Sequence, residues 1–327
     1  MTTARKYVYA RKFEGFPKEG DLQLVEEKLP QLKDGEFLSK AVYLSVDPYM
    51  RAYAPSLKLG TTFIGGQVAV VTESKNITHP VGQYIVGNFG WRTHTISDNE
   101  SELYVLPDFD KLPLSLGVGV LGMPGNTAYF GFLEICQPKP GETVVVTGAA
   151  GAVGSHVGQI AKIKGCTVIG IAGSDEKGKW LVDDLGFDHF INYKDDKFKE
   201  KLEQATPKGV DCYFDNVGGE ISSIVISRMN LYGRVSVCGS ISGYNDTEPA
   251  KATTIQRFLV GKQLKMEGFI VRRWTERWGE GILQNKQWIQ EGKLKYSETV
   301  TEGFENMFQA FVDMLKGGNI GKAVVKV

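Results

Sequence analysis

The residues Thr143-Val144-Val145-Val146-Thr147-Gly148-Ala149-Ala150-Gly151-Ala152-Val153-Gly154 decide the fold. A β-branched run stops at Gly148, and two further glycines follow at three-residue intervals. Downstream, Val157, Ile160, Ala161 and Ile163 recur at helical spacing, which predicts a helix over 155–164. Strand, tight glycine turn and helix start together form the geometry that cradles a dinucleotide diphosphate. The glycines let backbone N–H groups approach the phosphates, and the helix N-terminus adds partial positive charge. Gly151, Ala152, Val153 and Gly154 are therefore the candidate phosphate-binding residues. The spacing is G-x-x-G-x-x-G rather than G-x-G-x-x-G, so the context carries more weight than the pattern.

That context is a long strand–helix alternation. Strands are expected over 143–147, 167–172, 189–192, 210–215, 234–238 and 264–271, with helices over 155–164, 175–185, 198–205 and 221–229. Near-continuous apolar strands joined by crossover helices imply a buried, doubly wound parallel sheet of the Rossmann kind, an α/β fold. The first 120 or so residues read differently. Short apolar runs such as 37–44, 67–72 and 102–106 are separated by Gly, Pro and Asp, which predicts a β-rich domain. After residue 274 the pattern is helical to about 290, strand-like near 295–300, helical over 306–315 and extended over 322–327. The expected organisation is a β-rich domain over 1–122, completed by about 303–327, and a dinucleotide domain over 123–302.

A chain of 327 residues suits two domains. Its 38 basic and 38 acidic residues cancel, which argues against nucleic acid or an anionic membrane as the main partner. Residues 1–12 lack the apolar core of a signal peptide, and no apolar run reaches membrane-spanning length, so a cytoplasmic protein is expected. Cys136, Cys166, Cys212 and Cys238 are scattered and read as buried free thiols, and the four histidines lack metal spacing.

Three longer strings go further: Ser45-Val46-Asp47-Pro48-Tyr49-Met50-Arg51, Gly122-Met123-Pro124-Gly125-Asn126-Thr127-Ala128-Tyr129 and Asp211-Cys212-Tyr213-Phe214-Asp215-Asn216-Val217-Gly218-Gly219. With Glu302-Gly303-Phe304-Glu305-Asn306-Met307 and Asn319-Ile320-Gly321-Lys322, they resemble the zinc-independent medium-chain dehydrogenases/reductases across essentially the whole chain. The resemblance implies a GroES-like β-rich catalytic domain beside the dinucleotide domain. Zinc-containing relatives begin their ligand set with Cys where this chain has Ser45-Val46-Asp47, and carry Gly-His-Glu where it has Gly65-Gly66-Gln67. These positions offer no thiolate or imidazole, so no metal is expected.

NAD-preferring domains place an acid at the end of the second strand. Here that strand ends Ile171-Ala172-Gly173-Ser174, leaving room for a ribose 2′-phosphate, with Lys177 one turn into the next helix. The resemblance assigns Ser174, Lys177 and Tyr193 to an NADP pocket, so NADPH/NADP+ is the expected cofactor. The alternatives are an N-cap, a solvated charge and a packing residue, with Asp175 binding the ribose of NAD. Family contacts to the nicotinamide half fall on Asn216, on Cys238, Gly239, Ser240, Ile241, Ser242, Gly243 and Tyr244, on Phe269, Ile270 and Val271, and on Asn319. Cys238 reads as a packing residue, since no flanking base lowers its pKa.

The activity implied is reduction of the C=C bond of α,β-unsaturated ketones and aldehydes, such as 15-oxo-prostaglandins and 2-alkenals. Substrates would be small and lipophilic, eicosanoid or alkenal. NADP-dependent oxidation of the 12-hydroxyl of leukotriene B4 is implied as a further activity. Tyr49 is the candidate catalytic residue, with the ribose hydroxyl and water as other proton donors. Family members carry a tyrosine where this chain has Gly261. Arg51 is a candidate partner either for an acidic substrate tail or for Asp47. Quinone reduction, or cofactor binding without turnover, are the competing readings. An exposed edge strand over 264–271 would suit a homodimer.

Overall fold

Val144, Val145 and Val146 are wholly buried because the strand that carries them lies inside a parallel sheet covered on both faces. The computed structural model describes residues 2–98, 103–248 and 251–327. Its six parallel strands are, in chain order, Thr143–Thr147, Thr167–Ala172, His189–Asn192, Val210–Asp215, Met229–Val237 and Lys265–Gly268. Across the sheet they run third, second, first, fourth, fifth, sixth. The first and fourth strands are neighbours, so the direction of winding reverses between Thr147 and Asp215. Ligands of doubly wound sheets bind at the carboxyl ends beside such a reversal. Val145, Ile169, Ile171, Tyr213, Val225 and Val235 form one core of this unit, and Phe130 stacks on Trp274 at 5.5 Å in another.

The second unit is a seven-stranded mixed sheet in the order Glu298–Glu302, Lys322–Lys326, Phe37–Ser45, Gln67–Ser74, Tyr84–Gly87, Leu103–Val105, with His94–Ser97 also paired to Phe37–Ser45. The strands Thr3–Tyr9 and Leu22–Lys28 pair antiparallel as a separate two-stranded sheet, with Tyr7, Tyr9 and Leu22 packed into the core of the same unit. Its core is aromatic. Phe63, Trp91 and Phe311 meet edge to face at 4.9–5.8 Å, a favoured arrangement of ring quadrupoles.

The two compact units comprise Met1–Gly119 with Glu298–Val327, and Val120–Ser297. The crossings therefore fall a few residues before those expected at 122/123 and 302/303. The reason is strand pairing: Glu298–Glu302 runs parallel to Lys322–Lys326 and so belongs to the mixed sheet. Other departures are local. The fifth parallel strand begins at Met229 and absorbs the end of the helix expected over 221–229, which spans Gly219–Ser227. The sixth strand is only Lys265–Gly268, and the helix expected over 175–185 widens into π-type turns over Trp180–Asp184. Of the run expected at 102–106, Leu103–Val105 is strand and Glu102 lies outside the described residues. Among the described residues, no helix is long and apolar enough to cross a membrane.

The returning tail is anchored by a buried charge. Lys322 lies 2% exposed, with Nζ donating to the carbonyls of Val46 (2.8 Å) and Ala323 (2.6 Å) and 3.2 Å from the Asp47 carboxylate. Burial pushes its pKa down, and Asp47 opposes that shift. Lys322→Met would leave Asp47 buried without its cation, and such losses run to about 3–5 kcal/mol. Urea unfolding is expected to show a loss on that scale, partly recovered by adding Asp47→Asn. A loss below about 1 kcal/mol would place the pair among ordinary surface bridges.

Candidate cofactor and active site

At the carboxyl end of the first strand, Gly148 has φ +59°, a left-handed conformation that side chains disfavour. The helix Gly154–Ile163 begins against this turn. A Cβ on residue 154 would stand 2.4 Å from the Gly148 carbonyl and 2.9 Å from Ala149 Cα, both backbone atoms that cannot step aside. Only glycine permits the approach, and it aims the helix N-terminus at the winding reversal.

Across the reversal, Asp215 organises the loop after the fourth strand. Its buried carboxylate accepts from the N–H groups of Val217 (3.0 Å) and Gly218 (2.9 Å) and from Thr147 Oγ1 and Ser222 Oγ. Asn216 donates its side-chain amide to the Thr147 carbonyl at 2.7 Å and its backbone N–H to Thr147 Oγ1 at 3.0 Å. The backbone N–H groups of Cys238 and Gly239 donate to the Asp215 carbonyl, and Ser242 Oγ donates to Val217 O at 2.6 Å. Tyr244 Oη accepts from Ser240 N–H. The stretches after the fourth and fifth strands are thus one hydrogen-bonded unit. Sequence reasoning passed over Asp215; the available signal was an acid ending a buried strand directly before Asn-Val-Gly-Gly.

Desolvation, with Asp215 adding to it, pushes the Cys238 thiol up to about 12, so it stays protonated. Phe269 directs its ring to Phe214 and Trp274, Val271 is buried, and Ile270 is exposed. In the mixed-sheet unit, Asn319 donates to the Gly321 carbonyl at 2.7 Å.

The second strand ends in a cationic pocket. Ser174 does cap its helix, accepting from Lys177 N–H at 3.3 Å. Tyr193 N–H donates to the Ala172 carbonyl, and Lys194 Nζ lies 5.9 Å from the Tyr193 ring centre. Burial lowers the Lys177 pKa and the neighbouring Lys194 lowers it further, against Glu176. An anion beside Lys177 and Lys194 would favour the charged form of both. Asp175, the alternative ribose ligand, accepts instead from Asn192 Nδ2 at 3.0 Å. The backbone cradle and this pocket fit a dinucleotide whose adenosine ribose carries a phosphate.

In the mixed-sheet unit, the positions compared above with zinc ligands are engaged in hydrogen bonds within the fold, although Gln67 Oε1 is buried without a partner. Ser45 Oγ donates to Asp47, Gln67 Nε2 donates to the Gly90 carbonyl at 2.9 Å, and Ser45 N–H donates to Gly66 O. Among the described residues, no three His, Cys, Asp or Glu side chains form a metal-sized group. Asp47 pairs with Lys322, while Arg51 donates to the Gly15 carbonyl and lies over the Phe13 ring. Tyr49 opens the short helix Tyr49–Tyr53 and packs 6.0 Å from Tyr53, ring centre to ring centre. Gly261 ends the helix Gln256–Gly261, with open space where a Cβ would project.

A doubly wound sheet with a glycine cradle at its reversal, joined in one chain to a mixed β-sheet unit, defines a two-domain dinucleotide-binding class. Residues 5–105 match the N-terminal domain of oxidoreductase, and residues 152–286 match zinc-binding dehydrogenase. Prostaglandin reductase 1 of Bos taurus is 51% identical over the full length of both chains. The NADPH-dependent curcumin reductase of Escherichia coli is 40% identical, over 99% of this chain and 96% of its own. CurA from Vibrio vulnificus, solved in complex with NADPH, superposes with a TM-score of 0.93 at 39% identity and covers 99% of both chains. The chain belongs to the medium-chain dehydrogenase/reductase family.

One buried histidine beside the cradle escaped the sequence reading. His156 Nδ1 lies 2.5 Å from the Ala152 carbonyl, and burial lowers the ring's pKa from 6.5 to about 4. An unfolded histidine titrates near 6.5, so between these values the unfolded chain binds a proton that the folded chain refuses. Stability is complete above about pH 6.5 and is lost as pH falls toward the folded value, by about 3 kcal/mol over the whole window. Between about pH 7.5 and about pH 5, wild type is expected to lose more stability in urea than His156→Asn. Equal losses would show that the imidazole is not held neutral.

Proposed function

We propose that this chain catalyses NADPH-dependent reduction of the C=C bond of α,β-unsaturated ketones and aldehydes. The observation that carries this reading is the end-to-end relatedness to prostaglandin reductase 1, at 51% identity. Curcumin, named in a second relative, is itself a conjugated enone, which extends the reading beyond one lipid class. When bound, the reduced nicotinamide supplies a hydride to the substrate β-carbon.

The residues divide the remaining work. Ala152, Val153 and Gly154 present backbone N–H groups to the diphosphate, with Gly151, whose N–H donates to the Gly148 carbonyl at 3.0 Å, closing the turn beside it, while Ser174, Lys177 and Tyr193 hold the 2′-phosphate. Asn216, residues 238–244, residues 269–271 and Asn319 orient the nicotinamide half. Negative charge grows on the substrate carbonyl oxygen as the double bond is reduced, so a fixed hydroxyl donor lowers the barrier. Tyr49 is assigned that role. Long-chain enones and enals, including 15-oxo-prostaglandins, are the proposed substrates, with NADP+-dependent oxidation of leukotriene B4 at its 12-hydroxyl as a separate, oxidative activity.

The outer edge of the parallel sheet, Lys265–Gly268, carries half-exposed Met266 and suits pairing with a second copy. Four free cysteines suit the reducing cytoplasm.

Two measurements test this reading. Lys177→Ala is expected to raise KM for NADPH about tenfold or more and to leave KM for NADH nearly unchanged, since a charge-assisted phosphate contact is lost. Equal changes for both cofactors would remove Lys177 from the phosphate pocket. Tyr49→Phe is expected to lower kcat on 15-oxo-prostaglandins and 2-alkenals by about 10²-fold, the scale of one lost donor. If the wild type oxidises NADPH with quinones and with no enone or enal, the proposed reaction is wrong.

A further inference from the structure

We propose that His156 is a positioning residue for the cofactor diphosphate, acting through the Ala152–Val153 peptide group. The inference rests on the cofactor reading above. His156 is 3% exposed and sits on the helix that follows the glycine turn. Its Nδ1 lies 2.5 Å from the Ala152 carbonyl oxygen. A carbonyl oxygen can only accept, so Nδ1 carries the proton and Nε2 does not. Nε2 is itself buried without a hydrogen-bond partner, which makes this single donated bond the ring's one polar anchor in the turn.

The geometry of the peptide unit turns that anchor into a positioning device. The unit is planar and trans, so its C=O and N–H point in opposite directions. Holding the Ala152 carbonyl on the imidazole directs the Val153 N–H the other way. Val153 is the N-cap of the helix, where the leading N–H groups have no acceptor within the helix. Those are the groups that a diphosphate takes up. A rotated Ala152–Val153 peptide would instead present a carbonyl dipole to the phosphate oxygens. Rotation of that plane acts on Ala152 ψ and on Val153 φ, which stands at −90°; a β-branched residue already bars a full flip to positive φ, and the imidazole supplies the remaining restraint, against smaller tilts of the plane.

The test compares His156→Asn with His156→Gln. The asparagine amide nitrogen falls where Nδ1 stood and can donate to the same carbonyl, whereas the glutamine amide reaches out to the Nε2 position. Dissociation constants are measured by calorimetry for NADPH and for adenosine 2′-monophosphate, which keeps the 2′-phosphate and lacks the diphosphate. His156→Gln is expected to weaken NADPH roughly tenfold, with His156→Asn within about twofold of wild type, the scale of one oriented hydrogen bond. Adenosine 2′-monophosphate is expected to bind all three proteins alike. Wild-type affinity for NADPH in His156→Gln, or parallel losses for both ligands, would overturn the positioning role. If His156→Gln fails to fold, a tenfold loss of NADPH affinity in folded His156→Asn would overturn it as well. Wild type that binds neither ligand would overturn the cofactor reading and the inference with it.

Discussion

The 2.4 Å that separates a would-be Cβ at residue 154 from the Gly148 carbonyl is the constraint on which the rest depends. Without side-chain bulk there, the helix can begin directly on the turn. Its axis then points its unpaired N–H groups at the gap between the first and fourth strands. Everything else at the reversal is fitted around that gap. Thr147 and Asp215 end the flanking strands, and their mutual hydrogen bond at 3.2 Å joins the two halves of the sheet. Asp215 then gathers the loop N–H groups of Val217 and Gly218, which ties the loop after the fourth strand to the turn after the first.

The two units handle buried charge in opposite ways. In the parallel-sheet unit, burial lowers the pKa of Lys177 and the neighbouring Lys194 lowers it further, against Glu176. An anion placed beside both ammonium groups would favour their charged forms. In the mixed-sheet unit, Lys322 is deeper still, yet it is satisfied by Asp47 and two carbonyls. Its energy is spent within the fold, on holding the last strand against the segment that leads to Tyr49. A removed partner therefore acts on ligand affinity in the first case and on stability in the second.

Much of the fold was legible because burial on both faces demands β-branched residues in short unbroken runs. Four of the six parallel strands, Thr143–Thr147, Thr167–Ala172, His189–Asn192 and Val210–Asp215, fall on the expected residues. The fifth and sixth did not, because their ends are set by neighbours: Met229 pairs with Val210 across a register shift, and the sixth strand has a partner on one side only. The strand Glu298–Glu302 is mostly polar and exposed at the sheet edge, so no apolar run marks where it starts. The acids were harder still. Nothing in an Asp-Asn-Val-Gly-Gly string says that its aspartate turns inward to accept four hydrogen bonds.

The sequence by itself determined the parallel sheet, the glycine cradle at 148–154 and the absence of an acid at the end of the second strand. Each of these is a local demand, met by residue type and spacing alone. Only the tertiary structure decided that Ser174 caps a helix, that Asp175 answers Asn192, that Asp47 pairs with Lys322, and that His156 holds the carbonyl of Ala152. The Asp175–Asn192 and Asp47–Lys322 pairs join segments far apart in the chain, and His156 and Lys322 are buried by the packing of other segments around them. A lysine in a terminal strand and a histidine on a helix read as ordinary exposed residues until packing removes their water.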